Sequence, residues 1–203
     1  MADDHYFSAS PSATSRRHEV QLRLPDVNLM LVADSGVFSA RAVDPGTVEL
    51  LRHVPPPPPT GNLLDLGCGY GAIACTLGLR APQATVWALD VNQRALSLTS
   101  ENAERTGAAN VRAVTASDVP PDVTFAGIWS NPPIRVGKEA LHDLLRTWLA
   151  RLDAGGAAWL VVHHHLGGDS LREWLTREGW DTSKIASRKG YRILKVSPMK
   201  PPA

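Results

Sequence analysis

Cysteine is nearly absent: Cys68 and Cys75 are the only two among 203 residues, and they form neither a Cys-x-x-Cys pair nor a zinc-ligand set. That excludes a disulfide framework and a thiolate metal centre, so no metal is expected, and a reduced cytoplasmic setting is. Long apolar runs are missing as well; no stretch approaches the ~20 residues that a membrane helix needs. The opening Met-Ala-Asp-Asp-His-Tyr-Phe has neither the basic start nor the apolar stretch of a secretory leader, and none is expected. Net charge is small, +1 at pH 7, which excludes broad electrostatic coating of a nucleic acid. The length suits one α/β domain with a modest extension.

Charge is nevertheless unevenly placed. No acidic residue follows Asp181, whereas Lys184, Arg188, Lys189, Arg192, Lys195 and Lys200 all do. This stretch is either a basic edge able to steer a polyanion or a solvated strand face and tail.

Patterning divides the chain. Residues 1–19 are polar and read as irregular. Residues 20–24 and 29–32 are β-prone runs around the turn Pro25-Asp26-Val27-Asn28, a hairpin. Residues 43–54 read as a helix, with Val48, Leu51 and Val54 at three-residue steps. The prolines from Pro55 to Pro59 impose stiff polyproline geometry. The expected organisation is a hairpin-and-helix extension serving as a lid (1–54), a connector (55–60) and a catalytic domain (61–203). In that domain, strands at 63–66, 85–91, 111–116, 125–129 and 157–163 alternate with helices at 71–80, 93–106 and 138–152. In the last of these helices Trp148 sits on the apolar stripe and reads as core. After Gly167-Gly168 come a short helix to about 177 and strands at 182–186 and 191–196, joined through Lys189-Gly190. The alternation predicts an α/β fold whose mainly parallel sheet is covered on both faces.

The loop Asp65-Leu66-Gly67-Cys68-Gly69-Tyr70-Gly71 leaves the first of those strands. Its glycines let bare backbone approach a ligand. The dinucleotide fingerprint needs Gly-x-Gly-x-x-Gly; here the spacing is Gly-x-Gly-x-Gly with an acid two residues before the first glycine. Asp65 would repel a pyrophosphate and suits an ammonium group, as on the methionine end of S-adenosylmethionine. Asp90, ending the second strand, can accept both ribose hydroxyls. Asp118, beside Ser117 after the third strand, is placed to meet an adenine amino group. Cys68, Gly71, Val91 and Asn131 complete the expected cofactor-facing set.

Ser130-Asn131-Pro132-Pro133-Ile134 closes the fourth strand. Prolines donate no backbone hydrogen bond, and Pro132 confines Asn131 to extended geometry. The turn therefore presents acceptors, the Asn131 side-chain oxygen and the Pro132 carbonyl. Two acceptors on the hydrogens of a deactivated amino nitrogen favour its pyramidal form and aim its lone pair at an electrophilic methyl, a displacement governed by positioning.

Asp65–Gly71, Asp90 and Asn131–Ile134 resemble motifs I, II and IV of class I methyltransferases acting on amino nitrogens. More narrowly, Asp34-Ser35-Gly36-Val37-Phe38-Ser39, residues 63–74, residues 130–137 and Lys189-Gly190-Tyr191-Arg192 resemble the small-domain methyltransferases typified by ribosomal RNA small-subunit methyltransferase C. The resemblance runs from about residue 5 onward and is closest to short members with one catalytic domain. It implies a Rossmann-like, seven-stranded sheet with an antiparallel last strand, S-adenosylmethionine as cofactor, and a guanine amino group of rRNA, in a ribosomal subunit or assembly intermediate, as target. Ile134 departs from the family, standing where many amino methyltransferases carry a base-stacking aromatic; Phe38 and Trp129 are the substitutes to consider. Phe38 is either a lid over the site or a staple docking the hairpin. Arg135 and Lys138 are candidate phosphate contacts, at some electrostatic cost beside a helix start. His163-His164-His165 is a second departure. On a strand the three alternate faces and cannot share one metal; His163 and His165 are candidate RNA contacts.

The catalytic turn does not separate a base amine from a glutamine side-chain amide, since both nitrogens are deactivated. Methylation of rRNA adenine or of protein glutamine, and a non-catalytic cofactor-binding module, are the alternatives. An NAD-dependent oxidoreductase is disfavoured by the glycine spacing.

Overall fold

The computed structural model describes residues 14–199; the expectations for residues 1–13 and for Lys200 lie outside the described residues. Strands β1 (His18–Arg23) and β2 (Asn28–Ala33) pair antiparallel as the expected hairpin. Helix α1 (Pro45–His53) follows, capped by Asp44, whose side chain accepts the Gly46 and Thr47 N–H groups, with proline in its first turn. Then come β3 (Asn62–Leu66), α2 (Ala72–Arg80), β4 (Thr85–Leu89), α3 (Gln93–Thr106), β5 (Val111–Val114), β6 (Phe125–Ser130), α4 (Lys138–Leu149), β7 (Leu152–His163), α5 (Gly168–Arg177), β8 (Trp180–Arg188) and β9 (Tyr191–Pro198).

Seven strands form one sheet in the order β5-β4-β3-β6-β7-β9-β8. The first five are parallel, and β9 runs antiparallel to both β7 and β8. This is the Rossmann-like α/β architecture expected, antiparallel last strand included. Strand alternation sends Leu63, Trp129 and Trp159 to one face and Leu64, Ile128 and Leu160 to the other. The first face is shared with the hairpin, α1, α2 and α3; α4 and α5 cover the second, where Trp148 is buried as anticipated. Leu22, Leu31, Leu50 and Leu51, all before the proline run, are thus buried in the same core as the sheet.

Most element boundaries fall within two residues of the expectation, and the larger differences are at α4 and β7. Helix α4 stops at Leu149 instead of 152, and β7 starts at Leu152 instead of 157. Phe125 pairs with Leu152, drawing the Asp-Ala-Gly-Gly stretch into β7, with a register shift before Gly127. A side chain at Gly156 would come within 2.9 Å of the Phe125 carbonyl, so only glycine permits this approach. No helix among the described residues is long and apolar enough to cross a membrane.

Asn102, fully buried on α3, ties the hairpin to the sheet. Its Oδ1 accepts from Val32 N–H at 2.7 Å, and its Nδ2 donates to the carbonyls of Val32 (2.9 Å) and Tyr70 (2.8 Å). Replacement by alanine strands three buried backbone groups, and Asn102→Ala is expected to lose about 3 kcal/mol in urea unfolding. A loss under about 1 kcal/mol would show that the hairpin docks by apolar packing alone.

Candidate active site

The strand order reverses at β3, and the crevice outside the carboxyl ends of strands at such a point is where open α/β sheets hold ligands. A cavity of about 510 Å³ lies there, lined by Gly67, Gly69, Asp90, Val91, Asn131 to Arg135, Phe38, Asp44, His163, His165 and Tyr191 among others. Residues from β3, β4, β6 and β7 therefore meet in one place despite their separation in sequence.

The glycine loop is built for backbone contact. Gly67 and Gly69 have φ of +80° and +57°, the left-handed region, and a Cβ at either position would meet no atom closer than 3.9 Å. A side chain there would project into open space, so that room is kept for a ligand against bare backbone. Gly71 caps α2 and does not line the cavity; a Cβ there would meet Thr99 at 3.0 Å. Cys68 turns away as well, its Sγ 3.4 Å from Thr99 Oγ1, and burial raises its thiol well above the usual range.

Two carboxylates organise this loop. Asp90 accepts from Gly69 N–H and Asn92 N–H, each at 2.9 Å, locking the loop to the start of α3. Burial raises its pKa against those bonds. Asp65 is fully buried and does not open onto the cavity. Its Oδ2 accepts from Ala74 N–H at 2.9 Å, completing the cap of α2, and its Oδ1 has no partner among the described residues. Desolvation, with Asp90 adding to it, raises Asp65 to about 8. Asp65 therefore supports the loop from beneath, and Asp90 is the carboxyl that a ligand on the bare backbone would meet, which suits hydroxyl donors and not a pyrophosphate.

The third expected acid behaves differently. Asp118 is exposed, and its Oδ2 accepts from Thr115 N–H (2.8 Å) and Thr115 Oγ (2.6 Å), closing a capping box. Ser117 is exposed beside it, and neither lines the cavity. Val91 does, and stands half exposed.

At the turn after β6, Asn131 Nδ2 donates to Asp44 Oδ1 at 2.9 Å and to Thr47 Oγ1 at 3.1 Å. The Pro132 carbonyl accepts from Ile134 N–H at 2.8 Å and retains a second lone pair. Ile134 and Arg135 line the cavity; Lys138 does not. Phe38 is 37% exposed and faces the cavity. Trp129 does not: fully buried, it stacks on Trp159 at 4.7 Å, because strand alternation sends it into the core. It is removed as a base-stacking candidate.

The histidines correct a second expectation. The strand ends at His163, and His164–Leu166 form a 3-10 turn, so period-two alternation stops and the rings gather, with centroids 3.7 to 5.5 Å apart. No group of three or more His, Cys, Asp or Glu among the described residues is placed to hold a metal. His163 and His165 line the cavity, and Tyr191 meets His163 edge-on at 5.0 Å. Asp44 and Thr47 escaped the sequence reading; the available signal was Asp44-Pro45, a helix cap followed by proline at the first helical position.

The methyltransferase small domain family profile matches residues 28–195. The Bacillus subtilis (strain 168) uncharacterized protein YbxB is 37% identical over 196 residues, 95% of this chain and 98% of that one. Ribosomal RNA small subunit methyltransferase C of Stutzerimonas stutzeri is 34% identical over 93% of this chain and 57% of its own length. A solved structure titled T. thermophilus 16S rRNA N2 G1207 methyltransferase (RsmC) in complex with AdoMet and guanosine superposes with a TM-score of 0.74 at 23% identity, over 93% of this chain and 52% of that one. The chain thus spans about half the length of these rRNA methyltransferases.

The raised pKa of Asp65 sets a pH dependence. An acid whose folded-state pKa exceeds its unfolded value of 3.8 stabilises the fold below that value and loses this contribution as pH rises through about 8. The protein without ligand is expected to melt at a lower temperature at about pH 8 than at about pH 5, and Asp65→Asn to reduce that difference. An equal difference in both proteins would remove Asp65 as its source.

Proposed function

We propose, from the premise that this chain belongs to the methyltransferase small domain family, that it transfers a methyl group from S-adenosylmethionine to an exocyclic amino nitrogen of a base in rRNA, a guanine N2. The observation that carries this reading is the convergence of the Gly67–Gly69 backbone, Asp90 and Asn131 on one cavity. When bound, the cofactor supplies an electrophilic methyl on a sulfonium whose sulfur leaves as a neutral thioether.

The remaining work falls to the chain. Gly67 and Gly69 admit the ligand against bare backbone. Asp90, once its Gly69 and Asn92 bonds are shared, accepts from vicinal hydroxyls at the end of β4. Asn131 Oδ1 and the Pro132 carbonyl accept from the amino group of the target and fix its lone pair. Ile134 and Phe38 contact the base by apolar packing. Val37, Phe38 and Asp44, from the segment before the proline run, wall the cavity, and that segment acts as its lid. The exposed cations Lys184, Arg188 and Lys195 on the β8–β9 hairpin, with Arg135 at the cavity, support a polyanionic partner. Guanine is favoured because the names of the rRNA methyltransferase relatives specify small-subunit RNA and, in one case, a guanine N2. The reading carries a cytoplasmic setting and a ribosomal subunit or assembly intermediate as substrate.

Tritiated S-adenosylmethionine, incubated with small subunits, large subunits, tRNA and a protein extract in parallel, is expected to label small-subunit rRNA at one guanine. Label in protein alone would move the function to a glutamine amide. Asn131→Ala is expected to keep cofactor affinity and to lose transfer by at least about a hundredfold. Asp90→Ala is expected to weaken cofactor binding in calorimetry by about 1.5–3 kcal/mol; unchanged binding would take Asp90 out of the cofactor site.

A further inference from the structure

The Asn131 amide has an acceptor at one end and two donors at the other, and its terminal torsion turns with little preference. An unrestrained asparagine would offer a target amino group its own N–H groups as readily as its oxygen. Only the second arrangement attracts. Something must therefore sequester the donor end.

Two side chains at the start of α1 do so, although they lie 87 and 84 residues away in sequence. Asp44 Oδ1 and Thr47 Oγ1 take Nδ2 at 2.9 and 3.1 Å, which leaves Oδ1 of Asn131 at the opposite end of the amide. The same Asp44 oxygen accepts from Gly46 N–H at 2.8 Å and Thr47 N–H at 3.2 Å, so it is held by the helix it caps. Thr47 is buried. The helix is held in turn: the Tyr191 ring lies where a Cβ on Gly46 would sit 2.6 Å from Cε1, and Glu49, also buried, pairs with Lys189 Nζ at 3.0 Å. The clamp is therefore preformed.

We propose that Asp44 and Thr47 are positioning residues that orient the Asn131 amide, with its oxygen toward the methyl acceptor. The proposal rests on the amino-nitrogen reading above and acts on the chemical step, not on cofactor binding. Oriented this way, Asn131 costs no reorganisation when the amino group pyramidalises.

Three variants test it. Thr47→Val removes the acceptor at nearly constant shape, Thr47→Ser keeps it, and Asp44→Ser retains a helix cap on a shorter side chain. Thr47→Val and Asp44→Ser are each expected to lower kcat about tenfold, the scale of one oriented hydrogen bond, with KM for S-adenosylmethionine and RNA within about twofold. Thr47→Ser is expected to restore kcat. The Asn131 side-chain amide, followed by 15N NMR, should shift and exchange its protons faster in Thr47→Val than in the unaltered protein. An unchanged kcat with an unchanged Asn131 amide would overturn the proposal, as would an equal loss in Thr47→Ser. If the unaltered protein transfers no methyl group to any acceptor, the functional reading falls, and the Asn131 amide signal alone decides the clamp: perturbed, it supports it; unperturbed, it overturns it.

Discussion

The parallel pairing of β3 with β4 on one side and β6 on the other is the constraint on which the site depends. Parallel strands present all their carboxyl ends at one edge, and the reversal of order at β3 opens a crevice there. Asp90 then reaches the glycine loop, and Asn131 faces both. None of these residues is near another in sequence. An antiparallel β4 or β6 would have put Asp90 or Asn131 at the far edge of the sheet.

That edge is electrostatically unsatisfied in a consistent direction. Asp65 and Asp90 both have raised pKa values, chiefly through burial, and each carboxylate is held by backbone N–H groups of the loop or of a helix start. The backbone N–H groups at the starts of α2 and α3 supply partial positive charge to both. Burial of the pair opposes the stability of the fold at high pH. Asp90 alone of the two lines the cavity, where its carboxyl disfavours a pyrophosphate beside it.

Local signals are legible in the sequence and long-range ones are not. Helix α3 falls on the expected 93–106 because Asn92 caps it and Gly107, at φ 77°, ends it. Asp65, Gly69, Asp90 and Asn131 are readable because each ends a strand or sits in the loop after one. Trp129, one of two substitutes considered for base stacking, is closed to ligand because strand alternation turns it into the core, where it stacks on Trp159 of β7. The histidine run departs for the complementary reason: the expected strand pattern runs two residues, to His165, past the point where the backbone turns. Asp118 has the spacing of a ligand-facing acid, but Thr115, three residues away, satisfies its carboxylate locally. Competition from a neighbouring hydroxyl decides that outcome, and strand-level patterning does not register it.

The hairpin and α1, expected as a lid, belong to the site also through contacts at Asp44 and Thr47 that the sequence does not advertise. The β1–β2 hairpin is joined to α3 through Asn102, Asn92 donates from the start of α3 to the Gly36 carbonyl at 2.9 Å, and Arg94 donates to Ser35. These bonds hold the segment that carries Phe38 against the same helix start that Asp90 engages. Helix α1 then returns across the sheet and brings Asp44 and Thr47 to Asn131. One continuous stretch therefore touches both ends of the cavity, at Phe38 beside the glycine loop and at Asp44 beside the catalytic turn. The bonds that orient the Asn131 amide are therefore supplied from a segment that precedes the sheet carrying the glycine loop and Asp90.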